Sequence, residues 1–285
     1  MGASGPMSID LHIHSTMSDG TLTPEEIVRE ACQKGLSVIA ISDHDTIAGV
    51  RPALRAAQGT GLTVIPAVEI STDYKRVEVH ILGYYIDLDD ATLAEKLSYV
   101  RDARLLRAEK IVQKLRGLGV VVTLDEVLAE SDGQSLGRPH VAAALVRKAV
   151  CSHPQEAFDR FLKRGRPAYV PRYKLTPMEA MRAIEQARGC HVLAHPGLGV
   201  PDALIHELAQ AGLHGIEAYH TRHTPSQTRR AKRLADELGL LITGGTDSHG
   251  PGGSYPVEIG SVAVPDSCAE ALAAWAHEHD APVPT

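Results

Sequence analysis

Cysteine does not staple this chain. Its 4 cysteines, Cys32, Cys151, Cys190 and Cys268, are scattered with no paired spacing, which argues against both a disulfide framework and a zinc ribbon. No apolar run approaches the roughly 20 residues that a membrane span needs. A basic excess is also missing. The chain has 29 Lys and Arg against 35 Asp and Glu, a net charge of −6, so no global positive field exists to hold a long nucleic acid. A nucleic-acid substrate would have to be gripped locally, at an end. Met1 to Pro6 (MGASGP) lacks the apolar core of a signal peptide and reads as a flexible leader, with Met7 a candidate natural start. The expectation is a soluble cytoplasmic protein with no membrane attachment and no evident obligate protein partner.

What the chain has in excess is histidine: 15 residues, against 2 Phe and 1 Trp. They form no run, so each position needs its own explanation. With 285 residues, 44% of them apolar, the chain can build one large domain with a deep core, or a domain plus an insert. Runs that read as buried strands are Ile9–Ile13, Ser37–Ile41, Leu62–Val68, Val77–Tyr84, His191–Ala194, Gly215–Ala218, Leu240–Thr243 and Ile259–Val264. Thr23-Pro24-Glu25-Glu26 and Thr176-Pro177-Met178-Glu179 each begin a helix, with a capping threonine and a proline in the first turn. Further helical periodicity lies near 46–58, 202–211, 225–238 and 267–278. This alternation predicts an α/β fold, a parallel sheet closed or nearly closed as a barrel. Between about 91 and 171 the pattern turns purely helical, near 90–117, 124–130, 138–149 and 154–163. The expected organisation is a barrel of residues 7–90 and 172–285, with 91–171 as a helical insert over the C-terminal mouth, where barrel enzymes keep their sites.

Metal-type ligands recur where these runs end. Ile9 is followed by Asp10, His12 and His14, Ile41 by Asp43 and His44, and Val68 by Glu69. His80 lies within its run, His195 follows Ala194, and Asp247 and His249 follow Gly244-Gly245. Taken singly, Glu69 or Asp43 reads as a cap or salt-bridge partner, His80 as a core histidine, and His195-Pro196 as a turn. Taken together, they converge on one mouth if the strands form a barrel. His12 and His14 lie two apart, so in a strand both rings face one side. Six histidines with Asp19, Glu69 and Asp247 are too many ligands for one ion and suit two or three. Imidazole and carboxylate donors without nearby cysteine suit manganese, zinc or iron rather than a thiolate site.

The set Asp10-Leu11-His12-Ile13-His14, Ser18-Asp19-Gly20, Ser42-Asp43-His44-Asp45, Glu69, His80, His195-Pro196 and Asp247-Ser248-His249 resembles the polymerase and histidinol phosphatase (PHP) family. The resemblance spans most of the chain outside the insert. It implies a distorted (β/α)7 barrel with a trinuclear metal centre, manganese being the implied ion. By position, His12, His14, Glu69 and Asp247 would hold one ion. Glu69, bridging, would join His80 and His195 on a second, and Asp19, His44 and His249 would hold a third. The insert and Gly137-Arg138-Pro139-His140 resemble the branch of nucleoside 3′,5′-bisphosphate phosphatases and 5′-to-3′ exoribonucleases.

That branch implies metal-dependent hydrolysis of the 3′-phosphate of nucleoside 3′,5′-bisphosphates, and of short 5′-phosphorylated oligonucleotides, leaving 5′-monophosphates. His12, His14, Glu69, His195 and Asp247 would carry the chemistry. In the helix near 90–117, Leu97, Val100, Ala108, Ile111 and Leu115 share one stripe at 100° per residue, and Arg104 falls in the middle of it with Arg101 at its flank. Arg104 either snorkels among core groups or grips a phosphate bidentately. Arg138, beside Pro139 at a helix start, offers a second anion site. The segment 215–223 ends another strand with His220 and His223, and one of these, His223 by preference, is the candidate for phosphate contact or for protonating the leaving oxygen, the alternative being a surface polar loop. Three rival readings remain open: histidinol phosphatase, a C–N or C–O hydrolase acting on an uncharged substrate, and a non-catalytic metal- or nucleic-acid-binding module.

Overall fold

The structure, a computed structural model, describes residues 8–75, 77–131, 136–171, 175–253 and 255–283. The leader with Met7, the boundary residue Arg172 and the side chain of Arg101 lie outside the described residues. One compact unit comprises Met1–Lys96 and Leu175–Thr285, and the other Leu97–Lys174.

The first unit is a seven-stranded sheet in the order of the chain: β1 (Ser8–Ile13), β2 (Leu36–Ile41), β3 (Thr63–Tyr74), β4 (Val77–Tyr84), β5 (Cys190–Leu193), β6 (Gly215–His220) and β7 (Leu241–Gly245). It curls until its edges meet. Asp247 N donates to His12 O at 2.8 Å and His14 N to Ser248 O at 2.9 Å, so the seam between β7 and β1 is drawn together by the segments that carry candidate ligands. Gly245 lets it close, since a Cβ there would lie 2.4 Å from the Cβ of His12. The nearly closed barrel agrees with the expected α/β class.

Two features differ from a uniformly parallel sheet. β4 runs antiparallel to both β3 and β5, because β3 does not stop at Val68 but continues to Tyr74 and turns back directly into β4. Glu69 is therefore within a strand rather than at its end. The polar stretch Glu69–Asp73 reads as a loop in sequence, yet Ser71 and Thr72 are buried against β4. The eighth run, Ile259–Val264, forms no strand. Gly260 adopts φ +74° and its N–H goes to the Asp10 carboxylate at 2.9 Å rather than to a ladder. Ile259 and Val264 are buried nonetheless, which accounts for the apolar pattern.

Helices α1 (Pro24–Gln33), α2 (Val50–Ala57), α7 (Pro177–Gln186), α8 (Asp202–Gln210), α9 (Pro225–Leu238) and α10 (Ser267–Glu278) belong to the barrel unit. Thr23 and Glu26 form a reciprocal capping box at α1, and Thr176 with Glu179 forms another at α7. Period-2 alternation in β1 divides its residues: Ile9 and Leu11 enter an apolar cluster with Leu272 and Ala276 of α10, and Ile13 one with Ile27 and Ala31 of α1. Asp10, His12 and His14 are left to the other face, fully buried.

The helix α3 (Ala91–Gly117) belongs to the second unit from Leu97 on and is followed there by α4 (Leu124–Leu128), α5 (Arg138–Arg147) and α6 (Pro154–Ala157), with a π-turn over Phe158–Leu162. Ala108, Ile111 and Leu115 of α3 pack with Val141 and Leu145 of α5 and with Leu162. This unit thus has an apolar core of its own. Among the described residues no helix is long and apolar enough to cross a membrane.

The strand starts β5 and β6 carry a separate imidazole stack. The rings of His191 and His214 lie 3.7 Å apart at 10°, and Trp275 and His279 continue the stack. Burial and the neighbouring His214 push His191 down to about 3 from the ordinary 6.5. The folded state therefore holds it neutral while the unfolded chain takes up a proton below pH 6.5, so stability is lost as pH falls from there toward 3. At pH 5 the loss from this one group is about 2 kcal/mol. We expect His191→Leu to flatten the fall in Tm between pH 7 and pH 5. Parallel melting curves for variant and parent would remove His191 as the cause.

Candidate metal centre

Seven backbone segments deliver the site. β1 supplies His12 and is followed by His14, the loop before α1 supplies Asp19, and His44 follows β2. Glu69, paired with Leu82, and His80, paired with Ser71, meet diagonally across the β3–β4 hairpin, while His195 follows β5 and Asp247 and His249 follow β7. All nine candidate ligands come together. Three of the residues around the mouth, Asp45, His195 and Asp247, hold φ values of +55°, +27° and +56°, a region non-glycine residues adopt at a cost. Such strain persists only where surrounding contacts impose it.

Glu69 sits at the centre and is wholly buried. Its Oε2 lies 2.8 Å from His44 Nδ1, 3.4 Å from His14 Nε2 and 3.5 Å from His12 Nε2. Its Oε1 lies 2.9 Å from His80 Nδ1 and 3.1 Å from His195 Nε2. Asp247 Oδ1 approaches His14 Nε2 at 3.0 Å and His12 Nε2 at 3.5 Å. Asp19 approaches His249 Nε2 at 3.3 Å and His44 Nε2 at 3.9 Å. Ligand atoms close enough to share one ion form three overlapping sets: His14, Asp19, His44 and His249; His12, His14 and Asp247; and His44, Glu69 and His80. His14 and His44 each belong to two sets. His195 stands outside them and reaches the cluster through Glu69.

This donor arrangement fits divalent cations and fits little else. Buried polar atoms normally find hydrogen bonds, yet His14 Nδ1, His44 Nδ1 and Glu69 Oε2 make none. His44 Nδ1 and Glu69 Oε2 are close but not in hydrogen-bond geometry, as expected for two lone pairs aimed at one point. Electrostatics lead the same way. Burial raises the Glu69 carboxyl, but His44, His80 and His12 outweigh it and hold the group well below the carboxylate range. Burial also opposes charge on His80, and Glu69 overrides it to lift His80 to about 9. His14 goes the other way, to about 4, through burial and the proximity of His249 and His44. The cavity demands positive charge but crowds the imidazoles that would carry it as protons, which is the condition a bound cation relieves.

Several residues that the sequence marks as ligand-like have another task. Asp10 accepts from Thr246 N and Oγ1, at 2.9 and 2.7 Å, and from Gly260 N, knitting the β7 loop to β1. Asp43 accepts from Ser15 N, Ser15 Oγ and Ser18 Oγ, at 2.6, 2.7 and 2.7 Å, shaping the loop that carries Asp19. Neither belongs to a ligand set. His223 is also otherwise engaged: Nδ1 donates to Ala218 O at 3.0 Å and Nε2 accepts from Gly197 N at 3.0 Å. Both ring nitrogens are thus engaged with backbone, and neither is directed at the ligand sets. Sequence reasoning gave Glu217 no role and held His220 only as the second choice to His223. Glu217 bonds His12 and His195, and His220 Nε2 lies 3.4 Å from Asp247 Oδ2. A charged residue inside the apolar run Gly215–Ala218 was the available signal, since a buried carboxylate must be paired.

Arg104 and Arg138 lie in the helical unit, both half-buried. Arg138 Nη1 donates to Leu162 O at 3.2 Å, and its guanidinium stands 5.7 Å from the Phe158 ring and 5.9 Å from that of Tyr169. Arg107, to which the sequence assigned no more than a place on a neighbouring basic face, feels the charges of both arginines and donates from Nε to Val170 O at 2.9 Å. Burial first, then the charges of Arg138 and Arg104, push it down to about 10.

Residues 10–148 match the PHP domain family. A 3′,5′-nucleoside bisphosphate phosphatase of Chromobacterium violaceum is 33% identical over 86% of this chain and 88% of its own length. The 5′-3′ exoribonuclease Rnm of Escherichia coli is 33% identical over 85% of each chain. Among solved structures, a Bifidobacterium adolescentis protein described as a metal-dependent phosphoesterase superposes with a TM-score of 0.79 at 32% identity, covering 95% of this chain and 98% of its own.

Because Glu69 touches five imidazoles, Glu69→Gln is expected to lower bound metal by at least one ion per chain, against two to three in the parent. Elemental analysis of protein grown with manganese reads this. Full metal content in the variant would show that Glu69 is not the shared ligand.

Proposed function

The chain belongs to the PHP family of metal-dependent phosphoesterases, and from that premise we propose that it removes the 3′-phosphate of nucleoside 3′,5′-bisphosphates and shortens 5′-phosphorylated oligonucleotides, leaving 5′-monophosphates. The observation that carries the reading is the Glu69 cluster, three overlapping ligand sets around one buried carboxylate. Divalent cations, when bound there, would supply Lewis acidity toward phosphoryl oxygens and make water a better nucleophile. His12, His14, Asp19, His44, Glu69, His80, His195, Asp247 and His249 are the proposed ligands. Nitrogen and oxygen donors without sulfur suit manganese, with zinc and iron as the alternatives a metal screen separates. A cytoplasmic location belongs to the same proposal.

The chain's own residues do the rest by binding and orienting. His220 donates to Asp247 from Nε2, its Nδ1 accepting from Arg222 N at 3.1 Å, and so fixes the Asp247 carboxylate. Substrate preference falls to the arginines. A dianion between Arg104, Arg107 and Arg138 would relieve the repulsion that already depresses Arg107, and planar guanidinium forks suit phosphate. We assign Arg104 and Arg138 to the phosphate that is not hydrolysed. The relatives named a bisphosphate phosphatase and an exoribonuclease support this choice over histidinol phosphate.

A manganese turnover screen with adenosine 3′,5′-bisphosphate, a 5′-phosphorylated dinucleotide and histidinol phosphate tests the proposal. Adenosine 5′-monophosphate should accumulate from the first. Accumulation of the 3′-monophosphate, or preference for histidinol phosphate, would overturn it.

Hydrogen bonds to charged groups are worth roughly 1.5–3 kcal/mol, so Arg104→Ala and Arg138→Ala should each cost about 10- to 150-fold in kcat/KM toward the bisphosphate. The loss should be far smaller toward an aryl phosphate with no second anion, and metal content should not change. Equal loss on both substrates, together with a lowered Tm, would make either arginine a packing residue.

A further inference from the structure

Glu217 stands in the middle of β6 with no exposure to solvent. A carboxylate there is costly unless its oxygens are satisfied. Oε1 lies 3.0 Å from His12 Nδ1 and Oε2 accepts from His195 N at 2.8 Å. One side chain thus links two candidate ligands, one from β1 and one from the turn after β5, whose rings lie nearly parallel with centroids 5.8 Å apart. The sheet helps to set this reach. Between Glu217 and Tyr219 the pairing with β7 slips by one residue, an irregularity of the kind that re-aims a side chain.

We propose that Glu217 is a positioning residue for the metal centre. It holds the proton of His12 on Nδ1, so that the Nε2 lone pair faces Glu69, Asp247 and His14. Through its second oxygen it pins the backbone of His195 in its left-handed conformation, φ +27°. The first half follows from bonding roles. A carboxylate only accepts, so the ring nitrogen beside it must carry hydrogen. Nε2, 3.1 Å from His14 Nε2 and 3.5 Å from both carboxylates, is then the nitrogen left to coordinate. Imidazoles that ligate metals commonly hand their other N–H to a carboxylate, which fixes the tautomer and raises basicity. The second half concerns His195, whose carbonyl accepts from Leu198 N at 3.0 Å at the start of the short turn Pro196–Leu198, while its N–H has no ladder partner. Its N–H goes to Glu217 instead, and the ring is thereby kept 3.1 Å from Glu69.

The inference rests on the metal-centre reading, and Glu217→Gln tests it separately. The amide is nearly isosteric but has only one accepting oxygen. If that oxygen stays on His195 N, the NH2 faces His12 Nδ1, and the ring proton must move to Nε2, the coordinating nitrogen. The expected result is a loss of about 10- to 100-fold in metal affinity, measured by titration with manganese or zinc, with Tm of the metal-free protein little changed. In zinc-loaded parent protein, nitrogen-15 NMR should find His12 protonated at Nδ1 and coordinating through Nε2. Unchanged affinity in Glu217→Gln would overturn the proposal. If that variant does not fold, the NMR result on the parent decides instead, and a His12 ring protonated at Nε2 would overturn it. Failure of the parent to bind metal at all would sink the metal-centre reading rather than this one.

Discussion

The rest of the site depends on one buried negative charge. Burial alone would neutralise Glu69, and among the five imidazoles at 2.8 to 3.5 Å it is chiefly His44, His80 and His12 that hold its carboxyl well below the carboxylate range. Interior carboxylates are tolerated only when paired, yet these imidazoles crowd one another and cannot all be protonated together. The strain is visible in the opposite fates of His80 and His14, one raised and one lowered. A cavity with this imbalance is built for cations, and the hydrolytic chemistry of the family follows from it.

Around that charge lies a frame of other buried carboxylates that do not belong to the ligand sets. Asp10 ties the β7 loop and Gly260 to β1, Asp43 ties the Ser15–Ser18 loop to β2, and Glu217 ties His12 to His195. Each joins segments distant in sequence, so each converts barrel closure into ligand geometry. The site is therefore held less by the individual ligands than by hydrogen bonds behind them. The left-handed backbone at His195 and Asp247 is maintained by that frame. Asp247 N bonds His12 O and His195 N bonds Glu217.

The two units differ in composition. The barrel unit concentrates imidazole and carboxylate, and the helical unit concentrates guanidinium on a core of its own. Burial first, then the charges of Arg138 and Arg104, depress Arg107. Arg138 is further held by Leu162 O and by two aromatic faces, a fixed orientation rather than a solvated one. The Lys110 side chain nearby is by contrast exposed.

The sequence by itself determined the strand–helix alternation, the capped starts of α1 and α7, and the histidine and carboxylate positions that gather around Glu69. These are local signals: period-2 burial, threonine–glutamate boxes, and polar residues where apolar runs stop. Tertiary structure alone decided the rest. It set β4 against its neighbours, since no local pattern distinguishes an antiparallel strand after a hairpin from a parallel one after a crossover. It drew Ile259–Val264 into a turn, because the acceptor of the Gly260 N–H lies about 250 residues away on Asp10. It also separated ligands from frame. Asp10, Asp43 and Glu217 are chemically as fit to bind metal as Asp247, and His223 as fit as His195. Only the direction of each side chain, set by barrel closure and by hydrogen bonds across it, sends one carboxylate to a cation and another to a backbone amide.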